Sequence, residues 1–166
     1  MWGAIVILLA SAAVPEGSAK RLGEVRGLIK ARGASEALWS LFADDKRWDQ
    51  LLDDIATGTS EWLAVAAELH PVSDAHASES LAIALQEALP RNPAGVLDLV
   101  AARSFSAPEA CGNYGFGQIE DERPASVILQ LVDRRIDAVA RLANGSLTSA
   151  RDACLKELRS LRAGLE

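Results

Sequence analysis

The sequence has few aromatic residues and no excess of positive charge. Aromatic residues make up only 5% of the 166 residues, whereas hydrophobic residues make up 49% and charged residues 24%. These are the proportions of a globular protein, and the abundance of alanine and leucine favours helices over strands. The formal net charge of −6 argues against the basic surface that a nucleic-acid-binding protein needs. The chain length fits one domain.

Recognisable catalytic motifs are also missing. The sequence contains no G-x-S-x-G nucleophile motif and no calcium-loop pattern. The glycine-rich stretch 112–117 is followed by acidic residues, which would repel phosphate, and not by the lysine and helix of a phosphate-binding loop. We therefore expect a non-enzymatic protein without a cofactor.

The first 19 residues have the pattern of a signal peptide. Residues 2–10 are almost wholly apolar, small residues follow, and cleavage sites can be placed after Ala19 or near Ala12. The apolar run is shorter than the roughly 20 residues that span a bilayer, so no stable membrane insertion is expected after its removal. A buried N-terminal helix or strand is the alternative. The pattern predicts a periplasmic or secreted chain whose folded domain covers residues 20–166.

The rest of the chain is divided by proline and glycine into segments with helical periodicity. Apolar residues recur in them at spacings of three and four, and no segment alternates between apolar and polar residues as a strand would. Asp44 or Asp45, and later Ser73 or Asp74, stand where side chains cap helices. The sequence predicts an all-α single domain of about seven short antiparallel helices, arranged as a HEAT-like stack or an irregular bundle.

The chain has only two cysteines, and these predict a disulfide. Cys111 lies in the stretch 104–123, which is predicted to be a long loop, and Cys154 lies on the apolar stripe of the last helix. An even number of cysteines behind a signal peptide is typical of a disulfide in an oxidising compartment. The alternative is a pair of free thiols in a cytosolic protein.

The only two histidines belong to a local cluster with metal-binding chemistry. His70, Asp74, His76 and Glu79 combine the imidazole and carboxylate groups that zinc prefers. Pro71 separates His70 from the other three, so no single helical face carries the set, and Asp74 has a simpler role as a helix cap. A small metal-dependent enzyme therefore remains an alternative to the non-enzymatic interpretation.

Negative charge is concentrated in the middle of the chain. Between residues 48 and 100, Arg91 alone opposes nine carboxylates, whereas both ends are mixed or basic. Such a block attracts a basic protein partner and speeds encounter, although a solvated surface has the same pattern. Helical periodicity places the acidic residues of the segment 46–56 on its solvent side. The residues predicted to contact the partner are acidic residues of this block and aromatic residues of the loop: Asp49, Asp53, Asp54, Glu61, Tyr114 and Phe116.

Residues 62–100, with the cysteine-bearing loop after them, resemble uncharacterised exported α-helical proteins of proteobacteria. The resemblance implies a helical, HEAT-like fold, and it implies no active site and no activity. Together with the signal peptide and the acidic block, it predicts a non-enzymatic exported protein that binds another protein. An inhibitor or immunity protein for a basic partner is one form of this function. A structural component of the cell envelope is a further alternative.

Overall fold

A computed structural model describes residues 16–112, 124–143 and 145–165 of the chain. In these ranges it contains nine α-helices, a short 3₁₀ turn at His70–Val72 and no strand, which confirms the all-α single domain. The helices are α1 (Glu16–Arg32), α2 (Ala34–Phe42), α3 (Asp45–Ala56), α4 (Ser60–Leu69), α5 (Ala75–Ala88), α6 (Pro93–Ala101), α7 (Ala107–Cys111), α8 (Ala125–Ala140) and α9 (Thr148–Gly164). None of them combines the length and the apolar character needed to cross a bilayer.

Four central helices form a stack in which α3 packs on α5 and α4 packs on α6. At one end, the ring of Phe42 contacts both Trp48 of α3 and His76 of α5. At the other end, Arg91 donates a hydrogen bond to the carbonyl of Ala56, with Nη1 2.9 Å from the oxygen. The beginnings of α3 and α5 therefore meet, as do their ends, so these two helices run in the same direction. In the chain they are connected through α4.

A glycine and an asparagine tie the end of α3 to the start of α6. Gly58 follows α3 with a φ of 75°, a left-handed conformation that favours glycine. The side chain of Asn92 accepts a hydrogen bond from the N–H of Gly95 and so caps α6. Its amide also donates to the carbonyl of Gly58 over 2.7 Å. One side chain thus begins a helix and fixes its position on the stack.

The predicted disulfide between Cys111 and Cys154 is present and joins α7 to α9. Both cysteines are fully buried in the main hydrophobic core. The sequence predicts a loop over the stretch 104–123, but this stretch contains the helix α7. A capping box starts this helix: the N–H of Glu109 donates to the Ser106 hydroxyl, and the Glu109 carboxylate accepts from the N–H of Ser106.

The first helix begins earlier than the predicted domain boundary. α1 starts at Glu16, inside the segment that the sequence assigns to the signal peptide. Ser18 in its first turn is only 3% exposed and hydrogen-bonds to side chains of α3 and α4. Residues 16–19 are therefore part of the folded domain, whereas the apolar run of the predicted signal peptide lies outside the described residues.

Candidate functional site

A groove of about 350 Å³ lies between α3 and α5. Exposed carboxylates form its rim, and half-buried or buried apolar side chains form its floor. The rim consists of Asp49, Asp53 and Glu87, and the apolar floor consists of Leu52, Ile83 and Ala84. The groove therefore offers negative charge around an apolar surface.

The two aspartates reach the groove because α3 is amphipathic. Trp48, Leu51 and Ile55 of this helix are buried in the core, so Asp49 and Asp53, one turn apart, fall on its outer side. The sequence predicted both residues as partner contacts and as exposed, and the structure confirms their exposure.

Glu87 was not among the predicted contacts, although it belongs to the acidic block. It reaches the same groove because α5 lies beside α3 and runs in the same direction. Periodicity shows which side of each helix is polar, but it does not show which two helices are neighbours. The position of Glu87 in the groove therefore depends on the tertiary packing of α5 against α3.

The rim carboxylates are not engaged in ion pairs with other described residues. None of the ion pairs in the described part of the chain involves Asp49, Asp53 or Glu87. Arg91 donates a hydrogen bond to the backbone carbonyl of Glu87 over 2.8 Å, and the charge of Arg21 interacts with that of Asp53. Arg135 of α8, which is 7% exposed and donates a hydrogen bond to Gln86, also interacts with the charge of Glu87. Burial lowers the pKa of Arg135 to about 10, and the negative charge of Glu87 acts in the opposite direction.

Asp54 is buried, and the prediction that it faces water is wrong, because α1 covers its side of α3. The residue is 3% exposed. Its carboxylate accepts hydrogen bonds from Ser18 Oγ at 2.6 Å and from Arg21 Nε at 2.6 Å and Nη2 at 2.7 Å. These donors offset the cost of burying the charge. Asp54 therefore holds α1 against α3 and is not accessible to a partner.

The remaining predicted contacts are Glu61, Tyr114 and Phe116. Glu61 is exposed in the first turn of α4, where its carbonyl accepts a hydrogen bond from Arg26 of α1 over 3.3 Å. It does not line the groove. Tyr114 and Phe116 lie outside the described residues.

The four residues of the metal-site alternative are not gathered into one site. Asp74 caps α5 by accepting a hydrogen bond from the N–H of Ala77 over 2.9 Å. His76 is exposed, and its ring packs against Phe42 with the centroids 5.7 Å apart. His70 faces α7, and its ring lies 4.0 Å from that of Phe105. In the described ranges, no three histidine, cysteine, aspartate or glutamate residues are grouped to hold a metal ion.

His70 has neighbours of the types found in a hydrolase triad, but their geometry differs. The Nε2 atom of His70 lies 3.0 Å from Ser78 Oγ and 3.2 Å from Glu109 Oε1. In a triad, the hydroxyl and the carboxylate contact different ring nitrogens, so that the carboxylate orients the base. Here both approach the same nitrogen, and Glu109 also serves the capping box of α7. The arrangement differs from a triad, and it connects α5 and α7 through His70.

Comparison with known proteins gives no functional assignment. No family model, curated protein or solved structure matches this chain.

Proposed function

We propose that this protein is a non-enzymatic binding protein that holds a basic segment of another protein in the groove between α3 and α5. The observation that carries the proposal is the convergence of carboxylates from two helices on one groove with an apolar floor. Exposed carboxylates scattered over a surface would keep a protein soluble, whereas Asp49, Asp53 and Glu87 surround a single concave site.

The chemistry of lysine and arginine matches this arrangement. Both side chains bury an aliphatic stem on apolar surface while the charged group stays near water or a carboxylate. The stems would pack on Leu52 and Ile83, and the charged groups would meet the rim. Charge pairs at an exposed rim mainly increase the association rate and make binding dependent on salt.

The proposed setting is the periplasm or the cell exterior, where the protein would act as an inhibitor or immunity protein for a basic partner. The disulfide between Cys111 and Cys154 supports this setting, because disulfides persist in oxidising compartments and are rare in the cytosol.

The proposal is tested with the immobilised, disulfide-bonded protein and an extract of periplasmic and secreted proteins. A basic protein retained at low salt and released at high salt is expected. A groove variant combines Asp49→Asn, Asp53→Asn and Glu87→Gln. The matched control removes the same number of exposed charges from α4 and α6, by Glu61→Gln, Glu68→Gln and Asp98→Asn.

The groove variant is expected to lose the partner, and the control variant is expected to keep it. Equal loss in both variants would show that the overall charge, and not the groove, attracts the partner. Retention by the groove variant would refute the site. Purified oligo-lysine serves as a defined probe in parallel, so that the test does not depend on the abundance of one partner.

A further inference from the structure

An aromatic cluster lies where α3 and α5 begin. The centroid of the Phe42 ring lies 5.1 Å from that of Trp48 and 5.7 Å from those of Trp39 and His76. Each of the three pairs packs edge to face. Trp39 is 40% exposed, which makes it one of two exposed large hydrophobic residues in the described part of the chain. Phe42 is half-buried and His76 is exposed, so the outer side of this cluster is open to solvent.

The aromatic cluster continues the acidic groove at one end. Trp48 directly precedes Asp49, and His76 lies one turn before Ser80, which lines the groove and donates a hydrogen bond to the carbonyl of His76. From His76 to Glu87, α5 extends about 16 Å at 1.5 Å per residue. One short segment of a partner can therefore contact the aromatic cluster and the carboxylates together.

We propose that Trp39 and Phe42 form a platform on which an arginine of the basic partner stacks, while neighbouring basic residues of the same segment lie along the groove. The inference rests on the proposed function and specifies the chemistry of the partner. A planar, weakly hydrated guanidinium stacks well on aromatic rings, and tryptophan is the best of them, whereas a lysine ammonium group is strongly hydrated.

The packing of the cluster suits such a platform. Phe42 is held by three neighbouring rings, so its position is fixed before a ligand arrives and little side-chain entropy remains to be lost. Aromatic residues that are exposed and rigid are the usual anchors of protein interfaces.

The charges around the cluster are compatible with a cationic ligand. Asp44 and Asp45 are exposed at the start of α3. Two cations occur in the same turn. Arg47 lines a pocket on the opposite face of this helix, whereas Lys46 is exposed. The start of α3 therefore presents exposed carboxylates beside the cluster.

The test compares oligo-arginine and oligo-lysine peptides of equal length and charge, by fluorescence anisotropy with the disulfide-bonded protein. Arginine also pairs better with carboxylates, so the decisive quantity is the change caused by Trp39→Ala. This variant is expected to bind oligo-arginine about two- to fivefold more weakly and to lose less of its affinity for oligo-lysine. Trp39→Phe, which keeps an aromatic face, should retain most of the affinity for oligo-arginine, and thermal unfolding verifies that both variants are folded.

The outcomes separate this inference from the proposed function. If Trp39→Ala weakens the binding of both peptides equally, or of neither, the arginine platform is refuted. If the groove variant at the same time loses the binding of both peptides, the groove still binds basic segments. If an alternating lysine–leucine peptide depends on Trp39 more strongly than oligo-arginine does, the platform takes an apolar anchor instead and the inference is wrong. If no basic peptide binds the wild-type protein, the proposed function itself is refuted.

Discussion

Ser18 donates a hydrogen bond to Asp54 over 2.6 Å and so joins the first turn of α1 to the end of α3. The indole N–H of Trp62 donates to the same serine hydroxyl over 2.8 Å, and Arg21 donates to both oxygens of Asp54. Side chains from α1, α3 and α4 thus form one polar network next to the main core. Because each of its members depends on the others, removing one leaves buried polar groups without partners.

Replacing Asp54 by asparagine should therefore destabilise the fold. The change removes the negative charge that Arg21 and Ser18 contact. Since Arg21 is partly exposed, we expect a loss of about 2 kcal/mol in the free energy of unfolding, less than for a fully buried pair. Urea denaturation measures the loss. Asp53→Asn, at the exposed neighbouring position, should change the stability by less than about 0.5 kcal/mol. Equal effects of the two substitutions would contradict the structural role of Asp54.

The start of the chain should matter for the same reason. A protein that begins at Lys20 lacks Ser18 and leaves Trp62 Nε1 and one oxygen of Asp54 without that partner. We expect it to be less stable by about 1–3 kcal/mol than a protein that begins at Glu16. Thermal and urea unfolding of the two chains test this. If a signal peptide is removed in cells, N-terminal sequencing should find the mature chain starting before Ser18, as cleavage near Ala12 would produce.

Loss of the disulfide should lower the free energy of unfolding more than either of these changes. The bond closes a loop with a sequence separation of 43 residues. In the chain-entropy account, closing a loop of this length stabilises the folded protein by about 4 kcal/mol. The double variant Cys111→Ala/Cys154→Ala should lose this stabilisation. Because both sulfur atoms are buried, the native protein should react with a mild reductant only when it opens. Thiol titration with and without urea checks the second point, and rapid reduction of the native protein would argue against the buried position.

Acid should weaken the contact between α7 and the rest of the domain through Glu109. Burial acts to raise the pKa of this carboxyl group, but hydrogen bonds from the Ser106 hydroxyl and N–H, together with the charge of His70, outweigh it and lower the pKa below the ordinary 4.5. The stabilisation is therefore fully present above the unfolded-state pKa and is lost as the pH falls through the lower folded-state pKa.

The corresponding measurement is the stability of wild type and Glu109→Gln between neutral and strongly acidic pH. The variant should be less stable at neutral pH and should lose less stability on acidification. Glu68→Gln, on the exposed side of α4, should follow the wild-type curve. Parallel curves for wild type and Glu109→Gln would show that the carboxylate does not contribute in this way.

The sequence was sufficient for features that depend on local patterns. The apolar stripe of α3 and the capping role of Asp74 follow from periodicity and side-chain chemistry, and the structure confirms both. The short helix α7 also had a local signal, since Ser106 and Glu109 have the spacing of a capping box and Pro108 stands near the helix start. Pro108, the glycines and the acidic run of the stretch 104–123 together predict a loop, although the capping-box spacing is present in the same stretch.

Features that depend on neighbouring helices were not predictable in this way. Asp53 and Asp54 are adjacent acidic residues on one helix, yet the first is exposed and the second is buried. The difference arises because α1, more than thirty residues away, supplies Ser18 and Arg21 to one of them. Glu87 joins the groove for a similar reason, since only the packing of α5 on α3 brings it there.

The bond between Cys111 and Cys154 also makes a closed covalent ring of the chain between them, and this ring includes all of α8. A protease that cuts once inside the ring produces two polypeptides that remain attached through sulfur. Such a nicked molecule would migrate as one species on a non-reducing gel and as two after reduction. In an environment rich in proteases, one cut in this part of the chain would therefore not release α9 from the domain.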